Sequence, residues 1–149
     1  MKAASPASVS PFHTLAFGEA SPSDVVAHAR LMLSHYTDIA DLHADMEAGV
    51  DGFIVLDARS REAYARSHIP GAINFPHREM DAESVKRLAR HQLIITYCDG
   101  IGCNGSTKAA LKLASFGFRV KELLGGLDWW IRDGHKVEQG TQSAPACGC

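Results

Sequence analysis

The chain has 149 residues, a net charge of −2, and 46% hydrophobic against 21% charged residues. That balance fits one small globular domain with a sizeable core. It excludes a general electrostatic pull toward nucleic acid or an anionic membrane, and no apolar run approaches the ~18 residues of a bilayer span. Lys and Arg are scattered, the densest cluster being Lys86, Arg87 and Arg90. The start, Met1 to Pro6, lacks the apolar stretch of a secretory signal. The four cysteines, Cys98, Cys103, Cys147 and Cys149, fall late in the chain and lack the spacing of a disulfide scaffold. A cytoplasmic protein that uses cysteine for chemistry is expected, with no cofactor and no metal.

Residues 1–22 are rich in Ser, Pro and Ala and read as a loose arm. Ser23 or Asp24 caps a helix running to about Tyr36, with Val25, Val26, Ala29, Leu31, Met32 and Leu33 as its apolar side. Asp38 to Ala48 reads as a second helix, with Ile39, Leu42 and Met46 inward and Gly49 as its stop. The pattern then alternates. Phe53–Leu56 is a buried strand ending at Asp57, and Ser60 caps a short helix to Arg66 with Ala63 and Tyr64 inward. Ile69-Pro70-Gly71 turns into a short strand over Ala72–Phe75. Glu79 to His91 reads as a helix burying Met80, Val85, Leu88 and Ala89. A strand over Leu93–Thr96 leads to Cys98, and a helix over Lys108–Ala114 is ended by Gly117. Phe118–Leu123 is the last strand, and Gly125-Gly126 precedes a short helix with Leu127, Trp129, Trp130 and Ile131. The tail after about Val137 is polar and reads as mobile. Such alternation predicts an α/β fold: a small parallel sheet flanked by helices on both faces, with an N-terminal helical extension.

Tyr97 to Thr107 is the most informative stretch. A cysteine stands where a strand ends, and a glycine-rich loop follows and opens a helix. Backbone N–H groups and the positive end of a helix dipole then face the sulfur and favour thiolate, the nucleophilic form. In a parallel sheet the ligand site lies beyond the carboxyl ends of the strands, where both Asp57 and Cys98 fall.

Four motifs, in order, resemble the rhodanese-like domain family, the single-domain sulfurtransferase type. They are Val55-Leu56-Asp57-Ala58-Arg59-Ser60 with Glu62 and Tyr64; His68-Ile69-Pro70-Gly71-Ala72-Ile73-Asn74; Tyr97-Cys98 with Ser106 and Ala109-Ala110; and Gly117-Phe118 with Val120, Leu124-Gly125-Gly126 and Trp129 or Trp130. The match covers residues 37–138, leaving 1–36 as an arm and helix and 139–149 as a flexible cysteine-containing tail. The resemblance implies that Cys98 accepts a sulfane sulfur, becomes a persulfide, and passes it to a thiophilic acceptor. The backbone over Asp99, Gly100, Ile101, Gly102, Cys103, Asn104, Gly105 and Ser106 would bind the terminal sulfur. Gly100, Gly102 and Gly105 permit the positive φ values such a cradle often needs, and Ser106 can cap the helix. Donor and acceptor would be small molecules or proteins, with nucleic acid and membrane excluded. The N-terminal helix serves either as a homodimer contact or packs on the sheet's flank.

One departure matters. The familiar single-domain members place Arg five residues after the cysteine, and here that position is Cys103. The loop is about two residues longer, and no Arg or Lys lies between Cys98 and Thr107. In size alone it resembles the related cysteine phosphatases, which need Arg where Asn104 stands, so phosphoryl transfer would lack its main charge stabilisation. Arg59, His77, Arg78 and Lys108 are the candidate accessory cations, and persulfide or polysulfide the candidate donors. Arg59 reads first as a structural partner of Asp57 or Glu62, and His68 as a structural turn residue. Cys103 either points inward as a small apolar residue or attacks a Cys98 persulfide or sulfenate to leave a disulfide. Two alternatives therefore stand beside sulfur transfer: a dithiol redox protein using Cys98 and Cys103, and a non-catalytic binding module. Cys147 and Cys149 form a Cys-x-Cys pair that suits soft metals or sulfur shuttling but is incomplete as a zinc site.

Overall fold

The computed structural model describes residues 13–141, so Cys147 and Cys149 lie outside the described residues. Among the described residues, 13–32 and 33–141 form separate compact units. Helix α1 (Pro22–His35) begins from Ser21, whose hydroxyl accepts from the Asp24 N–H at 3.2 Å. The cap is thus Ser21 and not Ser23 or Asp24. Pro22 takes the first helical position, where its missing N–H is no loss. Val25, Val26, Leu31, Met32 and Leu33 are all exposed, so the apolar side expected of this helix is not a core face.

The second unit is built on five parallel strands in the order β1–β5–β4–β2–β3. These are β1 (Tyr36–Thr37), β2 (Phe53–Asp57), β3 (Ile73–Asn74), β4 (Leu93–Tyr97) and β5 (Arg119–Leu123). The edge strand β1 pairs with the end of β5 and is too short to leave a periodic signal in the sequence. Alternation sends Val55, Ile95 and Tyr97 to one face, against Ile39 and Leu42 of α2 (Ile39–Glu47) and Leu127 and Trp130 of α5 (Gly126–Arg132). Leu56 and Ile94 turn to the other face, against Ala109 and Leu113 of α4 (Gly105–Ser115). The central strands β2 and β4 are covered on both faces, which is why they read as continuous apolar runs.

The helix expected over Glu79–His91 is replaced by two short 3-10 turns, His77–Glu79 and Ser84–Arg87. Asp81 Oδ1 accepts from the Glu83 and Ser84 N–H groups at 3.0 and 2.8 Å, and the Ser84 hydroxyl accepts from the Asp81 N–H at 2.8 Å. These side chains satisfy the backbone locally and compete with a helix. Met80, Val85 and Leu88 are still buried as expected.

Register sets Asp57 beside Tyr97, so the carboxyl ends of β2 and β4 lie level. From β2 the chain moves outward to β3, whereas from β4 it moves the other way to β5. The loops leaving β2 and β4 therefore diverge and open a crevice between them. Short helix α3 (Arg61–Arg66) starts at that crevice, capped by the Ser60 hydroxyl, which accepts from the Ala63 N–H at 3.2 Å.

Candidate active site

Cys98 is held by its backbone before its sulfur is considered. Its carbonyl accepts from the Leu127 N–H at 3.0 Å, and the Asp99 carbonyl accepts from the Asp128 N–H at 2.7 Å. Both donors belong to the first turn of α5, whose free N–H groups need partners. Gly126 makes the approach feasible. Its φ is +58°, and a Cβ there would run into the Cys98 carbonyl oxygen. The sequence showed Gly125-Gly126 as a motif without its role, which is to dock α5 on the backbone of the cysteine.

The sulfurs of Cys98 and Cys103 are joined in a disulfide, with Cα atoms 6.2 Å apart. Both lie against Gly105, the first residue of α4, where a Cβ would fall 2.8 Å from Cys98 Sγ and 3.4 Å from Cys103 Sγ. The Gly105 N–H donates to Cys103 Sγ at 3.4 Å. The helix start thus faces the sulfur pair and favours negative charge on either atom when the bond opens. Cys98 is buried and Cys103 half-buried.

Two expectations about this loop need correction. Gly100, Gly102 and Gly105 do not use positive φ. Gly105 is needed for the close approach of the sulfurs, whereas a Cβ on Gly100 would meet the exposed Asp128 side chain, whose carboxylate can turn aside. Ser106 does not cap α4, which begins one residue earlier with no side-chain cap from Asn104. The Ser106 hydroxyl instead donates to Glu122 Oε2 at 2.9 Å. Of the loop N–H groups, that of Cys103 closes a turn onto the Gly100 carbonyl at 3.0 Å.

Arg59 braces the other wall. Its guanidinium donates to Asp57, to the Ser67 carbonyl and, at 3.0 Å, to Asp99 Oδ1. Asp57 is fully buried and Arg59 nearly so. Burial works against the Arg59 charge, yet the bonds and charge of Asp57, with Asp99 behind, hold it above its ordinary value. Arg59 is therefore a structural partner of Asp57, and it also ties the β2 loop to the cysteine loop. Burial, with the Asp57 charge, likewise raises the Tyr97 phenol, which accepts from the Ile69 N–H at 3.1 Å. His68 is a buried turn residue stacked on Tyr64.

A crevice of about 600 Å³ brings together Cys98, Asp99, Cys103, Asn104 and Gly105 with Arg59, His77, Arg78 and Lys108. Gly100, Ile101, Gly102 and Ser106 are not part of its lining. Ile101 faces a separate apolar hollow with Ile39, Leu124 and Trp129. Arg61, Arg66 and Glu79 also line the crevice, and Arg61 pairs with Glu79 across its rim. Sequence reading missed these three; α3 starting at the end of β2 was the available signal for Arg61 and Arg66, and the adjoining His77-Arg78 for Glu79. Arg78 and Lys108 make no ion pair among the described residues. Burial lowers the pKa of His77, and the charges of Lys108, Arg78 and Lys112 lower it further. Cys98, Asp99 and Cys103 place ligand atoms within 4.8 Å of one another, but the joined sulfurs offer a metal no thiolate. No helix among the described residues is long and apolar enough to cross a membrane.

The rhodanese-like domain family matches residues 38–133, and the chain belongs to that family. It has the sulfurtransferase-type fold. The BH2092 protein of Bacillus halodurans is 47% identical, with a TM-score of 0.77 over 80% of this chain and 87% of that one. A thiosulfate sulfurtransferase of Pseudomonas aeruginosa, 23% identical, superposes with a TM-score of 0.63 over 80% of this chain and 22% of that one, a likeness of fold alone. The HTH-type transcriptional regulator Rv0324 of Mycobacterium tuberculosis is 32% identical over 121 residues, 81% of this chain and 47% of the regulator. The chain spans about half the length of that curated relative.

Proposed function

We propose that the chain is a sulfurtransferase in which Cys98 carries sulfane sulfur. The Cys98 thiolate attacks the outer sulfur of a donor, the donor's thiolate or sulfite leaves, and a persulfide remains on Cys98. An acceptor thiolate then takes the outer sulfur and frees Cys98. The observation that carries this reading is Cys98 Sγ at the carboxyl end of the central strand β4, facing the start of α4 across Gly105. That setting favours the thiolate both as nucleophile and as leaving group. Arg78 and Lys108 supply positive charge in place of the absent loop arginine. The loop itself carries no Arg or Lys between Cys98 and Thr107, which favours persulfide or polysulfide donors over thiosulfate. The partners are a sulfur donor and a thiol acceptor, and the cytoplasm, where thiols stay reduced, is the compartment that suits them.

Intact mass of the reduced protein after thiosulfate or polysulfide tests the reading. A gain of about 32 mass units that disappears in Cys98→Ser supports it. No gain with either donor rejects it. The disulfide favours a second reading, a dithiol redox protein. That reading predicts reversible loss of about two mass units with no sulfur gained at any stage.

A further inference from the structure

We propose that Cys103 is a resolving thiol that converts the Cys98 persulfide into free hydrogen sulfide, which makes the chain a dithiol-dependent sulfane-sulfur reductase. This rests on Cys98 as the sulfur carrier. In the step, the Cys103 thiolate attacks the inner sulfur, Cys98 Sγ. The Cys98–Cys103 bond forms, and the bond from Cys98 Sγ to the outer sulfur breaks. The outer sulfur leaves with the bonding electron pair as hydrosulfide and takes the proton that Cys103 gave up. The sulfane sulfur gains two electrons, and the two cysteine sulfurs together lose two. An external dithiol then returns the two electrons, reopening the disulfide and itself becoming a disulfide.

Three observations carry the step. The first is reach: the two sulfurs are joined, so Cys103 meets the inner sulfur of Cys98. The second is that the thiols do not hold the loop in place by themselves. The Cys98 and Asp99 carbonyls are tied to α5, the Asp99 carboxylate to Arg59, and the Cys103 N–H to the Gly100 carbonyl. None of these bonds uses a sulfur, so Cys103 stays beside Cys98 when the disulfide is open. A nucleophile positioned in this way gains a large effective concentration over one in solution. The third is sidedness. The Gly105 N–H bonds Cys103 Sγ, favouring the attacking thiolate, and Cys103 is the more exposed sulfur. A reductant therefore enters at Cys103, and the buried Cys98 thiolate leaves toward the start of α4.

The test loads full-length reduced protein with polysulfide, removes the excess, and follows mass and released sulfide together over time. Wild type is expected to release one sulfide per persulfide while the mass moves from a gain of about 32 units to a loss of about 2. Cys103→Ser and Cys103→Ala are expected to keep the added sulfur, with release slowed at least about 100-fold. With excess dithiothreitol and polysulfide, wild type turns over repeatedly and Cys98→Ser does not. A persulfide that forms in the Cys103 variants and persists equally in wild type overturns the resolving role and leaves the carrier reading intact. Equal release from wild type and both variants does the same. No persulfide in any Cys98-containing form overturns both.

Discussion

Gly126→Ala isolates the backbone anchor of the cysteine loop. The left-handed φ of +58° costs an alanine about 1–2 kcal/mol. The added Cβ also meets the Cys98 carbonyl oxygen, a main-chain atom that has no rotamer to escape into. Relief requires α5 to withdraw, with loss of the Leu127 and Asp128 N–H bonds at about 1 kcal/mol each. The sum is about 3–4 kcal/mol, or a fall in Tm of about 10 °C for a domain of this size. Gly49→Ala is the matched control. Its φ is +66° with nothing within 4 Å of the new Cβ, so it bears only the conformational penalty, about 4 °C. Thermal unfolding by circular dichroism reads both variants. In parallel, the alkylation rate of reduced Cys98 at fixed pH is expected to fall in Gly126→Ala and stay unchanged in Gly49→Ala. Equal Tm losses in the two variants would refute the claim that contact with the Cys98 carbonyl restrains the loop.

Three further outcomes follow from the walls of the crevice. Arg59→Ala strands the Asp57 carboxylate, fully buried, without its main partner and is expected to destabilise by about 3–5 kcal/mol in urea titrations. A loss under about 1 kcal/mol would show that Asp57 finds another partner. Arg78→Ser with Lys108→Ser is expected to raise KM for thiosulfate more than for an uncharged organic polysulfide, and added salt should narrow the difference. Equal effects on both donors would remove these cations from donor binding. The folded pKa of His77 lies below 6.5, so below about pH 6.5 the unfolded chain binds a proton that the folded chain does not. His77 therefore lowers stability as pH falls from 6.5 toward its folded value, and that loss is absent above 6.5. An NMR titration of His77 at or above 6.5 would contradict both causes, burial and the neighbouring cations, and Lys108→Ala is expected to move the value upward.

The central strands were legible because they are buried on both faces, which writes runs such as Phe53–Leu56 directly into the sequence, whereas the two-residue edge strand β1 left none. Cys98 was legible because a strand end, glycines and a helix follow one another without interruption. What stayed hidden depends on contacts between distant segments. Nothing near Gly126 in the chain says that its hydrogen faces a carbonyl twenty-eight positions earlier. The reason for Gly105 was missed similarly: glycine is read locally as freedom of φ, whereas here it makes room for two sulfurs. The Glu79–His91 segment misled because Met80, Val85 and Leu88 are buried, a pattern that a helix shares with turns fastened by Asp81 and Ser84. Ser106 looked like a cap because it stands near a helix start, but Glu122 on β5 claims its hydroxyl.

The two ends of the cysteine loop are fixed independently, at Cys98 and Asp99 by α5 and at Gly105 by its place as the first residue of α4. Between them Ile101 and Gly102 project outward, and a Cβ on Gly102 would meet nothing within 4 Å. The loop is thus an interchangeable cassette on a fixed frame: residues can be added or removed at its crest while the nucleophile keeps its address. A scaffold of this kind can change its chemistry by exchanging a few residues at one crest, without renegotiating the core beneath.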